Sequence, residues 1–148
     1  MASELRNAEP GSVWIDLAKL VARLLMSLRF IASFFAKLYF WTWTVADFSS
    51  DHFAHSRTLV AAAEVWQLVG ALLLLLGLWI RPACAMLIIF ALATSFSFHQ
   101  FWKADENHFL TLFINFVKDI AIVGGLLLMA VVAPGRFSIS ALWDTRKK

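Results

Sequence analysis

The sequence predicts an all-α membrane protein, a bundle of four transmembrane helices with both termini in the cytoplasm. Three observations carry this. Of 148 residues, 61% are hydrophobic and only 16% charged, and the mean hydropathy is +0.74, whereas a soluble domain is about half apolar. Leu, Ile, Val, Phe and Ala run over lengths sufficient to cross about 30 Å of hydrocarbon, which takes about 20 helical residues at about 1.5 Å each. Lysines and arginines gather on one side of the resulting topology. No segment alternates apolar and polar residues over a strand length, which excludes a transmembrane β-barrel.

The opening stretch MASELRNAEPGS is polar with mixed charge. The apolar run behind it lacks the short hydrophobic region and small-residue cleavage site of a signal peptide, so no cleavage is expected. Four spans read as roughly residues 14–43, 59–80, 83–102 and 109–132, in a single membrane domain over 1–148. A polar connection from Ala46 to Thr58 joins the first two, a tight turn at Arg81-Pro82 the next two, and a short charged loop from Lys103 to His108 the last two. Pro82 and Pro134 stand at span ends, where a missing N–H does least harm.

An even number of spans puts both termini on one side. That side carries Arg6, Lys19, Arg23, Arg81, Arg136, Arg146, Lys147 and Lys148, and the other only Arg57 and Lys103; the positive-inside rule makes the richer side cytoplasmic. Trp14, Trp79 and Trp143 mark one interface and Trp41, Trp43 and Trp102 the other, as aromatic belts do. The net charge of +3 therefore reports topology, and nucleic-acid binding is not expected. The single cysteine, Cys84, excludes an internal disulfide and any C-x-x-C pair, and reads as a small packing residue.

Five ionisable side chains fall inside the spans: Arg29, Lys37, Glu64, Lys118 and Asp119. Each costs roughly 2.5–3.5 kcal/mol near the bilayer centre unless it finds a partner or water. His99 joins them late in the third span. Counting from mid-span at about 1.5 Å per residue sets Lys37, Glu64, His99 and Lys118 between about 4 and 10 Å out, all toward the outer side. Lys37 and Lys118 against Glu64 and Asp119 make a formally neutral set, which offsets desolvation by pairing.

Helical spacing gives each charge a polar neighbour: Ser33 before Lys37, Gln67 after Glu64, Ser95 before His99 and Asn115 before Lys118. These faces are expected to turn inward, with Gly70, Gly77, Gly124 and Gly125 offering close helix approach. The same network can serve only to fix helix register. Arg29 lies on a different face from Lys37 and is assigned no partner. His52 and His55 beside Asp51, and His99 with His108, are unspecific as metal or haem ligands, so neither a metal site nor a covalent cofactor is expected.

The chain resembles the DoxX family of small bacterial inner-membrane proteins. The likeness rests on Leu20-Val21-Ala22-Arg23-Leu24-Leu25, Lys37, Glu64, Gly70, and Leu76-Gly77-Leu78-Trp79-Ile80-Arg81. It continues through Phe98-His99, Lys118, Gly124-Gly125-Leu126-Leu127-Leu128 and Pro134-Gly135-Arg136-Phe137-Ser138. Phe34, Phe35 and Ala36 replace the glycines usual before the lysine, and Asp119 replaces a common asparagine. The resemblance implies an inner-membrane location and a membrane subunit of a redox or oxidative-stress system, at most part of a quinone-linked oxidoreductase, since some relatives look like components of thiosulfate:quinone oxidoreductase. In that reading Lys37, Glu64, His99, Lys118 and Asp119 form a pocket for a quinone head group, and a redox partner protein supplies electrons. Two other readings stand beside it: a small proton-coupled transporter, which in so narrow a bundle requires a homo-oligomer, and a membrane scaffold for soluble enzymes.

Overall fold

The computed structural model describes residues 10–50, 56–132 and 135–146. Among the described residues all regular structure is helical. Helix α1 spans Pro10–Tyr39, α2 Trp41–Ser50, α3 Ser56–Leu76, α4 Ile80–Phe98, α5 Glu106–Val131 and α6 Ile139–Arg146, with a single 3-10 turn at Phe101–Lys103. Among the described residues three segments are long and apolar enough to cross a membrane: Arg57–Leu76, Ile80–Lys103 and Glu106–Val131. At 30 residues α1 has the length, but every 18-residue stretch of it holds at least three of Asp16, Lys19, Arg23, Arg29 and Lys37.

Several boundaries differ from those read in the sequence. The first predicted span divides at Phe40, where the Thr44 hydroxyl donates to the carbonyls of Phe40 at 3.1 Å and Lys37 at 3.4 Å, a back-bond that loosens the helical ladder. Helix α2 then runs on to Ser50 and α3 starts at Ser56, so the polar connection from Ala46 to Thr58 is mostly helix. Asp51, His52 and His55 lie outside the described residues, as does Pro134.

The tight turn comes before Arg81-Pro82, at Gly77–Trp79. Gly77 N donates to Leu74 O at 3.1 Å and Leu78 N to Leu73 O at 2.9 Å, the paired bonds of a Schellman motif. Gly77 has φ +69°, which a residue without Cβ adopts freely, and Trp79 follows at φ 44°. Pro82 falls in the first turn of α4, where its missing N–H has no intrahelical partner to lose. Gly77 is thus a turn residue, and its missing Cβ also admits Arg23 of α1. Gly70 makes a helix contact, for a Cβ there would meet Leu87 of α4 at 3.0 Å, while Gly124 faces open space.

The helices pack in sequence, α1 on α3, α3 on α4 and α4 on α5, with α2 also against α3. The core lies between them: Phe30, Ala71, Leu74, Ala83, Cys84, Leu87 and Leu126 are buried. The first and last long helices meet through side chains, Met26 reaching Gly125 and Arg29 standing beside Asp119. Around the 3-10 turn, Phe101 makes edge contacts with Trp102, Phe109, Phe113 and Phe116, closing the α4–α5 connection with aromatic quadrupoles.

The solvent preference is inverted. Leu25, Leu28, Ile89, Leu110, Leu127, Leu128 and Val131 are exposed, while Arg23, Ser27, Glu64, Gln67, Ser95 and Asp119 are buried. Only an apolar surrounding stabilises that distribution, because exposed apolar patches of this extent do not persist on water-soluble monomers.

Candidate functional site

At the end of the bundle away from the termini, α1 to α5 enclose a cavity of about 640 Å³. Helix α1 brings Arg29, Ser33 and Lys37 to it, α3 Glu64, α4 Thr94 and His99, and α5 Asp119. Aromatic side chains complete the wall, including Phe40, Trp43, Phe90 and Phe98.

Two ion pairs stand on its sides. Lys37 Nζ donates to Glu64 Oε1 at 2.8 Å and to Gln67 Oε1 at 3.0 Å, and sits 4.6 Å from the centre of the Phe90 ring. Gln67, wholly buried, donates in turn to the Phe30 carbonyl. This ties α3 to α1 and gives both the oxygen and the nitrogen of the carboxamide a partner. Opposite, Asp119 is 3.6 Å from Arg29 Nη2 through one oxygen and 3.5 Å from His99 Nε2 through the other. Both carboxylates are deep, Glu64 6% and Asp119 7% exposed. Attraction in such a site repays desolvation only where geometry and extra hydrogen bonds are good, a condition the Lys37, Glu64 and Gln67 triad meets.

The set is unsaturated. Glu64 Oε2 and His99 Nδ1 are buried without a hydrogen-bond partner among the described residues. A buried polar atom left unpaired costs about 1–3 kcal/mol, more where charge is involved, so each leaves capacity for a water or ligand atom at the cavity.

Of the residues singled out in the sequence, the structure brings Lys37, Glu64, His99 and Asp119 to one cavity, with Ser33 on its wall and Gln67 behind it. Lys118 is not among them: it is exposed on α5, because successive helical residues are turned by about 100° and Asp119 takes the inward direction. Ser95 is buried without a partner among the described residues and Asn115 is half-buried; neither lines the cavity. Arg29 is the residue that sequence reasoning left without a partner, and it supplies the positive charge expected of Lys118. The signal was present in its spacing, since Ser33 and Lys37 succeed it at intervals of four on one helix.

A second group of polar residues closes the opposite end. Arg23, 2% exposed, donates through Nη2 to the Phe137 carbonyl, and Ser140 Oγ donates to the Gly77 carbonyl. Ser138 Oγ donates to Gly135 O at 2.8 Å and accepts from Ala141 N at 3.2 Å. A Cβ on Gly77 would overlap Arg23 Nη1 and Ser138. This assembly fastens the segment after α5 onto α1 and the α3–α4 turn.

Comparison with known proteins gives the setting. The sequence model of the DoxX family matches residues 18–100. Inner membrane protein YphA of Escherichia coli (strain K12) is 30% identical over 120 residues, 81% of this chain and 86% of that protein. Inner membrane protein YqjF of the same organism is 28% identical over 131 residues, 88% of this chain and 95% of that one. No solved structure matches the chain.

Proposed function

The chain belongs to the DoxX family and is a multi-pass protein of the bacterial inner membrane, and on that premise we propose that it is the membrane subunit of a redox or oxidative-stress system whose cavity takes a quinone head group. In this reading α1 makes a fourth span and both termini are cytoplasmic, which the distribution of lysine and arginine supports. The single observation that carries it is Glu64: a carboxylate 6% exposed, one oxygen on Lys37 and the other without a partner among the described residues, beside a cavity walled by Phe40, Trp43, Phe90 and Phe98.

The chemistry comes from the donors and acceptors. Arg29 and Lys37 donate only, and suit the carbonyl oxygens of an oxidised ring. The free Glu64 oxygen accepts only, and suits a hydroxyl of the reduced ring. Histidine is the side chain best fitted to exchange protons near neutral pH, and His99, held against Asp119, moves them between the ring and the aqueous side. These side chains handle protons, so a partner protein supplies the electrons.

Titrating the purified protein with a quinone tests this, read by tryptophan fluorescence, to which Trp43 reports from the cavity wall, and by thermal unfolding. Saturable quenching with a raised Tm is expected. Glu64→Gln should weaken binding of the quinol roughly tenfold to a hundredfold, the worth of a hydrogen bond to a charged group. Unchanged fluorescence and Tm would remove the quinone from the reading. Transport on the same charges would require an oligomer, and the mass in mild detergent decides that point.

A further inference from the structure

A second, smaller cavity of about 320 Å³ lies toward the termini, walled by Ala22 and its neighbours on α1, Ile80 of α4, and Leu128, Met129 and Val132 of α5. It shares its two long walls with the polar cavity. Helix α1 presents Ile15, Ala22, Met26, Arg29 and Ser33 along one line, residues whose 3.6-residue spacing puts them on one face. What separates the two spaces is Met26, whose flexible end rests where a Cβ of Gly125 would be. Along the α1–α5 seam the two cavities therefore follow one another, polar and deep at one end, apolar at the other, with the Met26 side chain across the middle; turned aside, Met26 would join them into one groove. Its length, from Arg29 to Ile15, is about 20 Å at about 1.5 Å per residue.

We propose that the ligand of the polar cavity is an amphiphile with a long apolar tail, whose tail lies in this groove and which enters sideways from the bilayer between α1 and α5, past Arg29. This rests on the quinone reading for the head group and adds the tail and the route. Arg29 is half-exposed where it stands at the cavity edge, and its bond to Asp119 is a long one at 3.6 Å, so it can swing without unmaking a tight pair. Met26 has the freely rotating chain that accommodates a passing tail. A helix from a neighbouring copy fits less well, since the polar end reaches inward to Glu64 at 6% exposure, beyond a helix surface. Lipid tails are as apolar as the groove, so the head selects the ligand and the groove's shape orients it.

The test is a quinone bearing a saturated tail of about 20 Å with a diazirine at its end, photolysed on the full-length protein in lipid nanodiscs, with labelled residues mapped by mass spectrometry. Label is expected on Ala22, Met129 and Val132, and an excess of tailless quinone should suppress it. Gly125→Leu, which fills the groove where Met26 crosses, should cut that label several-fold, and Ala22→Trp, on an exposed position that need not disturb folding, should do the same. Label on other faces that tailless quinone still suppresses would overturn the groove while leaving the head-group site in place. Label that tailless quinone never suppresses would overturn both. A cysteine at Ala22 that forms a disulfide with its copy on a second chain would put a neighbour in the groove, and would equally overturn the tail.

Discussion

The two ends of the bundle treat buried charge in opposite ways. Around the cavity, each cation faces a carboxylate: Lys37 with Glu64 and Arg29 with Asp119. At the termini end Arg23 is buried more completely than any of them, yet its partner is a backbone carbonyl and its Nε and Nη1 have none among the described residues. The first arrangement surrounds a cavity and leaves Glu64 Oε2 without a partner among the described residues. The second packs Arg23 against Gly77, Ser138 and Phe137, with the apolar cavity to one side. Paired charges around a cavity leave room for a ligand; a guanidinium held by one carbonyl and packed against its neighbours holds a shape.

Substitutions sharpen this contrast. The largest effect is expected from Lys37→Met, which leaves Glu64 charged and unpaired and should cost about 3–5 kcal/mol of stability, read as a fall in Tm in detergent. Adding Glu64→Gln should recover much of that loss, and a double-mutant cycle with no coupling would mean the pair is not formed. Gly77→Ala comes next, at about 2–4 kcal/mol from a left-handed backbone and overlap with Arg23. Its signature is faster proteolysis of the segment after residue 135, with binding of a tailless quinone to the folded fraction unchanged. If Gly77→Ala altered the affinity for a tailless quinone, the two ends would be coupled and the contrast would fail.

Lys118→Leu should leave both stability and ligand binding near wild type or improve insertion, since it removes a charge from an exposed position on α5. Arg29→Leu, by comparison, should weaken ligand binding while leaving Asp119 partly compensated by His99. The smallest effect concerns the loop before α5. Asp105 caps that helix by accepting from His108 N at 3.3 Å, and its Oδ1 is 2.6 Å from His108 Nδ1. The hydrogen bond with His108 holds the Asp105 carboxyl below its usual range. A carboxyl lowered in the folded state stabilises above its unfolded value, and that contribution is lost as pH falls through the lowered one. Hydrogen exchange at the α5 N-terminus should therefore speed up only in acid, and Asp105→Asn should abolish the step.

How far the sequence could be read depends on which geometry each feature needs. Helices α3, α4 and α5 were legible because hydropathy alone identifies them, and the meeting of Lys37 with Glu64 could be inferred from similar depth and opposite charge. The rotation of a helix about its axis is not written in depth. Lys118 and Asp119 sit at one level, and only packing against α4 decides that the aspartate points in. Arg29 was missed although its spacing to Ser33 and Lys37 put it on the way to the same cavity. Arg23 reads as one more basic residue near a cytoplasmic span end, and its burial depends on a partner 114 positions away. The turn at Gly77 was masked in the sequence by the louder signal of Arg81-Pro82, although the glycine's freedom at positive φ is what the chain uses to reverse.

The bond between Arg23 and Phe137 also sets an order of events. On the ribosome α1 is complete long before residue 137 is made, so the Arg23 guanidinium is without this acceptor until the segment after α5 follows. The contact therefore closes late, joining that segment to a helix made more than a hundred residues earlier, and a nascent chain truncated before Phe137 would lack the tie at this end of the bundle.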